Sequence, residues 1–221
     1  MSNSIKKNEL PTPFVPAADP IDGLLRISTL NNPIDVEIRI WEGMQPGYYM
    51  QLMLNGELVG AIWTMSDSDT SGDIISMVLD PEHLLNEGIY SLGLRATNDK
   101  SLVSNDSATT ALIVDRTPPG AALLAPAMFA SVSFGDFLNA KIPSYAGMEP
   151  GDLIQTVCNG IQGPTYRVQP ENLTTTPIEI SFTQEFLEGL FSDRVNITYH
   201  VTDRAGNRSI LAQSVEITMQ R

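Results

Sequence analysis

Near the middle of the chain stands the stretch Val114-Asp115-Arg116-Thr117-Pro118-Pro119-Gly120. The apolar run from Ala111 to Val114 that leads into it is typical of a strand. The two consecutive prolines exclude a helix and a paired strand, because proline lacks the backbone N–H that both structures need. The stretch therefore predicts a boundary between two domains.

The sequences on either side of this boundary repeat each other. Gly43-Met44-Gln45-Pro46-Gly47 recurs as Gly147-Met148-Glu149-Pro150-Gly151, and Asn55-Gly56 recurs as Asn159-Gly160. Both pairs have one offset, since 147 − 43 = 104 and 159 − 55 = 104. A period of about one hundred residues is that of a whole domain, not of a short solenoid repeat.

Within each copy the pattern is that of short strands. Residues 34–40 alternate apolar with charged side chains, which predicts a strand with one face in solvent. Asn55-Gly56 separates two further apolar runs and is a strong hairpin signal. Short strands at this spacing predict two antiparallel β-sandwiches.

The shared motifs resemble the bacterial Ig-like repeats that build large surface adhesins and biofilm-associated proteins. The matching segments of the first copy are Gly43 to Gly47, Asn55-Gly56, Leu85 to Tyr90, Ala96 to Asp99 and Val114 to Pro118. Those of the second copy are Gly147 to Gly151, Asn159-Gly160 and Val201 to Asn207. The resemblance implies an all-β fold of two tandem Ig-like antiparallel β-sandwich domains. We expect a flexible lead-in at residues 1–13, domains at 14–115 and 121–221, and a proline-rich linker at 116–120.

Charge and composition restrict the partners. The chain has 26 acidic and 13 basic residues, a net charge of −13, which disfavours nucleic acid because Lys and Arg must neutralise phosphates. No apolar run is long enough to span a membrane, and Met1 to Leu10 lacks the apolar segment of a Sec signal peptide. We expect a monomer at the bacterial surface or outside the cell, with a cytoplasmic location still open. The single cysteine, Cys158, aligns with Leu54 and is expected to be a buried core thiol.

Five oxygen-bearing residues are candidate calcium ligands, because Ig-like topology brings strand ends together at a pole and calcium takes six to eight oxygen ligands. They are Asp115, Glu149, Asp152, Asp203 and Asn207. Relatives with this linker can bind calcium between domains, and the resemblance implies the same possibility here. The alternative is that Asp203 and Asn207 only shape a turn and Asp115 only ends a strand.

The loop from Asp67 to Asp73 resembles the start of an EF-hand loop, but its twelfth position is Val78, where the calcium site needs Glu. A solvated acidic loop is the preferred interpretation. The topology places this loop at the free pole of the first domain, where a ligand would bind, so Asp67 and Asp69 are candidate ligand-binding residues.

Trp41 and Trp63 are further candidates for ligand binding, because aromatic faces stack on sugar rings. Core packing is the alternative role for at least one of them, and neither has an evident aromatic counterpart in the second domain.

Catalytic patterns are not found in the sequence. The two histidines, His83 and His200, lie in a predicted turn and on a predicted strand, and no nucleophile elbow, phosphate loop or His/Cys metal spacing occurs. The sequence thus predicts a non-enzymatic Ig-like adhesion, spacer or protein-interaction module with a protein or glycan ligand. The alternative is a carbohydrate-binding accessory module that uses exposed aromatic residues.

Overall fold

The computed structural model describes residues 10–130, 137–174 and 177–218. The chain divides into two compact units, Met1–Arg116 and Thr117–Arg221. Each unit is an antiparallel β-sandwich of the Ig-like type, as the sequence predicts. Residues 1–9 of the predicted lead-in lie outside the described residues.

The described part of the first unit, from residue 10 on, forms eight strands in two sheets. They are β1 (Leu24–Leu25), β2 (Ile34–Arg39), β3 (Tyr49–Leu54), β4 (Glu57–Thr64), β5 (Ile74–Leu79), β6 (Gly88–Thr97), β7 (Ser104–Asp106) and β8 (Thr110–Val114). One sheet has the order β1-β8-β6-β3-β4, with β7 also paired to β6, and the other consists of β2 and β5. The pairs are antiparallel except β1 with β8, which is parallel.

The second unit repeats this arrangement, and its described residues form seven strands and one short α-helix. They are β9 (Met128–Phe129), β10 (Phe137–Ile142), β11 (Leu153–Cys158), β12 (Ile161–Arg167), β13 (Ile178–Thr183), α1 (Gln184–Glu188), β14 (Arg194–Thr202) and β15 (Val215–Thr218). The sheets have the orders β13-β10-β9 and β12-β11-β14-β15. Strands β2 to β6 thus correspond to β10 to β14.

Each unit buries its own core between its two sheets. On β2 the alternation is nearly complete, because Val36 and Ile38 are buried while Asp35 and Arg39 are exposed. Full burial of such an aliphatic side chain contributes roughly 1.5–3 kcal/mol. Cys158 is fully buried in the second core, as predicted, and burial raises the pKa of its thiol to about 12.

The two Asn-Gly hairpins are built identically. Asn55 and Gly56 both have positive φ, 52° and 87°, and Asn159 and Gly160 have 50° and 81°. This is the backbone of a tight hairpin turn that suits strand twist. The Asn55 side-chain oxygen also accepts a hydrogen bond from the backbone N–H of Ser91 at 2.8 Å, so the hairpin is attached to β6.

Candidate functional site

A groove opens at the loop end of the first unit, with a cavity volume of about 920 Å³. It lies among the start of the described chain, the turn between β2 and β3, and the loop between β6 and β8. Its lining includes Leu10, Trp41, Glu42, Tyr48, Asn98, Asn105 and Asp106.

The two aromatic side chains of the groove are held by the Gly43 to Gly47 turn. The N–H of Met44 donates to the carbonyl of Trp41 at 3.3 Å, and the N–H of Tyr48 donates to the carbonyl of Gln45 at 3.1 Å. Gly47 has a φ of 95°, a conformation that favours glycine. Trp41 and Tyr48 are half-buried and pack against the core, so part of each ring is anchored and part lines the groove.

A second wall is formed by the loop after β6. The side-chain oxygen of Asn98 accepts hydrogen bonds from the N–H groups of Lys100 and Ser101, each at 2.9 Å. Strand β7 follows and pairs with β6, where Arg95 makes two hydrogen bonds to Asp106 at 2.6 and 2.8 Å. The hydrogen bond from Arg95 lowers the pKa of Asp106, so this carboxylate is charged at neutral pH.

Ser107 begins the short connection between β7 and β8. Its hydroxyl oxygen accepts from the N–H of Leu94 at 3.0 Å and donates to the carbonyl of Ala108 at 2.6 Å. The second unit has the same pair of hydrogen bonds. The hydroxyl of Ser209 accepts from the N–H of Val201 and donates to the carbonyl of Ile210.

The third wall comes from residues 10–13. Leu10 is half-buried against the core, and the hydroxyl of Thr110 donates to the carbonyl of Pro13. These residues of the expected flexible lead-in therefore pack on the first unit.

In the second unit, the positions of the two groove aromatics hold a hydrogen-bonded pair. Tyr145 stands where the first unit has Trp41, and Asp152 stands where it has Tyr48, since 145 − 41 = 104 and 152 − 48 = 104. The Tyr145 hydroxyl donates to Oδ2 of Asp152 at 2.8 Å, and the Glu149 N–H donates to the same oxygen at 3.1 Å. The carboxyl group of Asp152 is buried, and its Oδ1 has no hydrogen-bond partner.

Burial raises the pKa of Asp152, and the nearby carboxylates of Asp203 and Glu149 raise it further. The two hydrogen bonds at Oδ2 partly oppose this effect. Burial also raises the pKa of Tyr145, so its hydroxyl keeps its proton and acts as the donor.

The residues predicted to bind calcium fall into two groups. Asp115 follows β8 in the first unit, and the other four belong to the second unit. There, the carboxylate of Asp203 accepts from the backbone N–H and the side-chain amide of Asn207, each at 2.8 Å. These bonds support the turn-shaping alternative. Among the residues that the structure describes, no group of three His, Cys, Asp or Glu side chains is placed to hold a metal.

Two carboxylates of the acidic loop, Asp69 and Asp73, accept hydrogen bonds from neighbouring residues of the chain. Oδ2 of Asp69 accepts from the N–H and hydroxyl of Ser66, and Oδ2 of Asp73 does the same with Thr70. These hydrogen bonds lower the pKa of both aspartates. Asp67 and Asp69 do not line the groove.

The tryptophans have different environments. Trp41 lines the groove, whereas Trp63 lies on β4 opposite Met50 and packs against the core. The expectation that neither has an aromatic counterpart is wrong. Tyr145 matches Trp41 by offset, and Tyr166 matches Trp63 because it pairs with Ile154 as Trp63 pairs with Met50. The match between Trp63 and Tyr166 does not follow the offset of 104 residues, because each hairpin contains a register shift. A sequence comparison at that offset therefore misses it.

Neither histidine lies in the groove. His83 is in a 3-10 turn, Pro81–Leu84. His200 is on β14 opposite Gln155, the position at which Arg95 faces Gln51. Its side chain is buried, and burial together with the charge of Arg208 lowers its pKa. Within the described residues, no helix is both long and apolar enough to cross a membrane.

Comparisons with known proteins return distant structural likenesses. No protein-family profile and no curated protein matches the sequence. The fibronectin(III)-like modules of Clostridium thermocellum CbhA are 13% identical with a TM-score of 0.45, and 94% of each chain is covered. The human OSCAR ligand-binding domain is 13% identical with a TM-score of 0.37, covering 94% of this chain and 98% of that one. The fold described above rests on the strand pairing, not on these likenesses.

Proposed function

We propose that the protein is a non-enzymatic binding module of the bacterial surface. The first unit takes a surface ligand in its groove, and the second unit is a spacer. The groove is the observation that carries this proposal: three chain segments line a space of about 920 Å³. This volume lies within the range of roughly 300 to 1,000 Å³ that is usual for ligand sites. The resemblance of the repeats to adhesin modules supports the location.

The groove is also preorganised. Its aromatic side chains are anchored by core packing, and its loops are fixed by backbone hydrogen bonds at Gly47 and Asn98. Binding would therefore order few additional side chains and loops of the groove. The entropy cost of binding is correspondingly small, which favours affinity. Loops held by a rigid sheet are where binding residues are most common.

A direct test fills the groove without disturbing the core. Asn105 lines the groove on β7 opposite Ala96, and it is exposed. The substitution Asn105→Trp places a large ring in the groove. Asn139→Trp is the matched control, because Asn139 is an exposed strand residue in the second unit.

The assay measures binding of the labelled protein to immobilised fibronectin, collagen, mucin and bacterial polysaccharide. We expect binding to at least one of these, weakened at least about tenfold by Asn105→Trp and unchanged by Asn139→Trp. If Asn105→Trp leaves every binding signal intact, the groove is not the ligand site and the proposal fails.

A further inference from the structure

The chemistry of the groove points to one class of ligand, and this inference rests on the function proposed above. We propose that the groove of the first unit binds an uncharged oligosaccharide. Trp41 and Tyr48 supply the stacking surface, and the side-chain amide of Asn105 supplies hydrogen bonds to hydroxyl groups.

The aromatic pair fits a sugar ring. A sugar presents C–H groups on its faces and hydroxyl groups at its edge, so it packs on an aromatic ring while bonding to polar side chains beside it. Trp41 and Tyr48 are half-buried, which fixes the rings, and polar residues of the β6–β8 loop line the same groove. In the described chain, no hydrogen bond occupies the exposed amide of Asn105, which is therefore available to a ligand.

The charges of the groove disfavour acidic sugars. Its lining includes the carboxylates of Glu42 and Asp106 and contains no Lys or Arg. The carboxylate of a uronic or sialic acid would lose its hydration there without meeting a cation in the lining. Arg95 already forms an ion pair with Asp106 and does not line the groove. The net charge of −13 acts in the same direction.

A peptide ligand fits less well. It could pair with β7, which in the described chain pairs only with β6. However, β7 has only three residues, Ser104–Asp106. A strand added there would gain few ladder hydrogen bonds, since strands usually have about five or six residues.

The test is calorimetric titration of the full chain with cellohexaose, xylohexaose, mannohexaose and chitohexaose, and with hexagalacturonic acid as the acidic probe. We expect at least one neutral hexasaccharide to bind, at least about tenfold more tightly than hexagalacturonic acid. Asn105→Trp should weaken that binding at least about tenfold, and Asn139→Trp should leave it unchanged.

Fluorescence gives a second readout, because the chain has 2 tryptophans and only Trp41 lines the groove. In Trp63→Phe, the neutral sugar should change the emission of Trp41. Tighter binding of the acidic probe, or no binding of any neutral hexasaccharide, overturns the inference.

The two proposals fail separately. If fibronectin or collagen binds and Asn105→Trp abolishes that binding while no neutral sugar binds, the groove is a protein site. The function proposed above then stands and the oligosaccharide inference fails. If neither sugars nor proteins bind in a way that depends on Asn105, both fail.

Discussion

Asp152 is a buried carboxylate at the position where the first unit has Tyr48. One of its oxygens is satisfied by Tyr145 and Glu149, and the other has no partner. Sequence motifs locate this residue inside the repeat but do not reveal its burial. Burial arises from the packing of distant segments, and only that packing makes the charge unfavourable.

The raised pKa of Asp152 predicts a specific pH dependence of stability. Between its unfolded value, near 3.8, and its higher folded value, the folded state holds a proton that the unfolded state has released. The contribution of Asp152 to the free energy of unfolding therefore falls as pH rises through this window. Asp152→Asn removes this pH dependence, so the variant should gain stability relative to the wild type as pH rises from about 3.8 through the raised folded pKa of Asp152.

Urea unfolding at several pH values, followed by circular dichroism, measures this difference. Asp193→Asn is the control, because it makes the same change at an exposed aspartate. A constant difference between Asp152→Asn and the wild type across the pH range would contradict the assignment of the shift to Asp152.

The hairpin glycines are a second test at the scale of residues. Gly56 and Gly160 have φ of 87° and 81°, and an added Cβ would meet no atom within 4 Å at either position. Replacement by alanine should therefore destabilise only through the backbone, by about 1 kcal/mol, because left-handed φ is unfavourable for a residue with a Cβ. Equal losses at Gly56→Ala and Gly160→Ala in chemical denaturation are expected, and a much larger loss at one would indicate a steric clash.

At the scale of elements, each unit has a serine that bonds two backbone groups in the connection before its last described strand. Ser209 is buried and accepts the hydrogen bond of the buried Val201 N–H, whereas Ser107 is half-buried. Nothing in the local sequence marks these serines, since the bond partner lies 8 residues away in one case and 13 in the other.

Ser209→Ala should cost about 1–3 kcal/mol, because it leaves a buried N–H without an acceptor. Ser107→Ala should cost less, since water can replace the hydroxyl at a more exposed site. The free energies of unfolding from urea titration measure both. A cost for Ser107→Ala equal to or above that for Ser209→Ala would show that burial does not set the difference.

At the scale of the whole molecule, two hypotheses predict different effects of calcium on Tm. One is that Asp115 and its proposed partners bind calcium, and the other is that Asp203 and Asn207 only shape a turn. If Asp115 and its proposed partners bind calcium, millimolar calcium raises Tm relative to EDTA and Asp115→Ala abolishes the rise, because a ligand of the native state stabilises it. The hydrogen bonds between Asp203 and Asn207 favour the alternative. We therefore expect the same Tm in EDTA and in calcium, and a calcium-dependent rise that Asp115→Ala removes would reverse this conclusion.

The sequence by itself determined the fold class, the duplication, and strands such as β2 and those of the Asn-Gly hairpins. These follow from local rules: alternation assigns a side chain to the core or to solvent, and Asn-Gly and Gly-Pro motifs fix the turns. It also predicted that a ligand would bind at the loops beside Gly43 to Gly47, and it gave Trp41 as a candidate.

Only the tertiary structure decided which candidates share a site. It joined Trp41 to Tyr48 and Asn105, and it placed Trp63 outside the groove and Asp69 in its own turn. It also gave Tyr166 as the counterpart of Trp63. The reason is physical. A groove, a buried charge and a strand register are properties of segments far apart in sequence, and their free energies depend on desolvation and packing that no local pattern encodes.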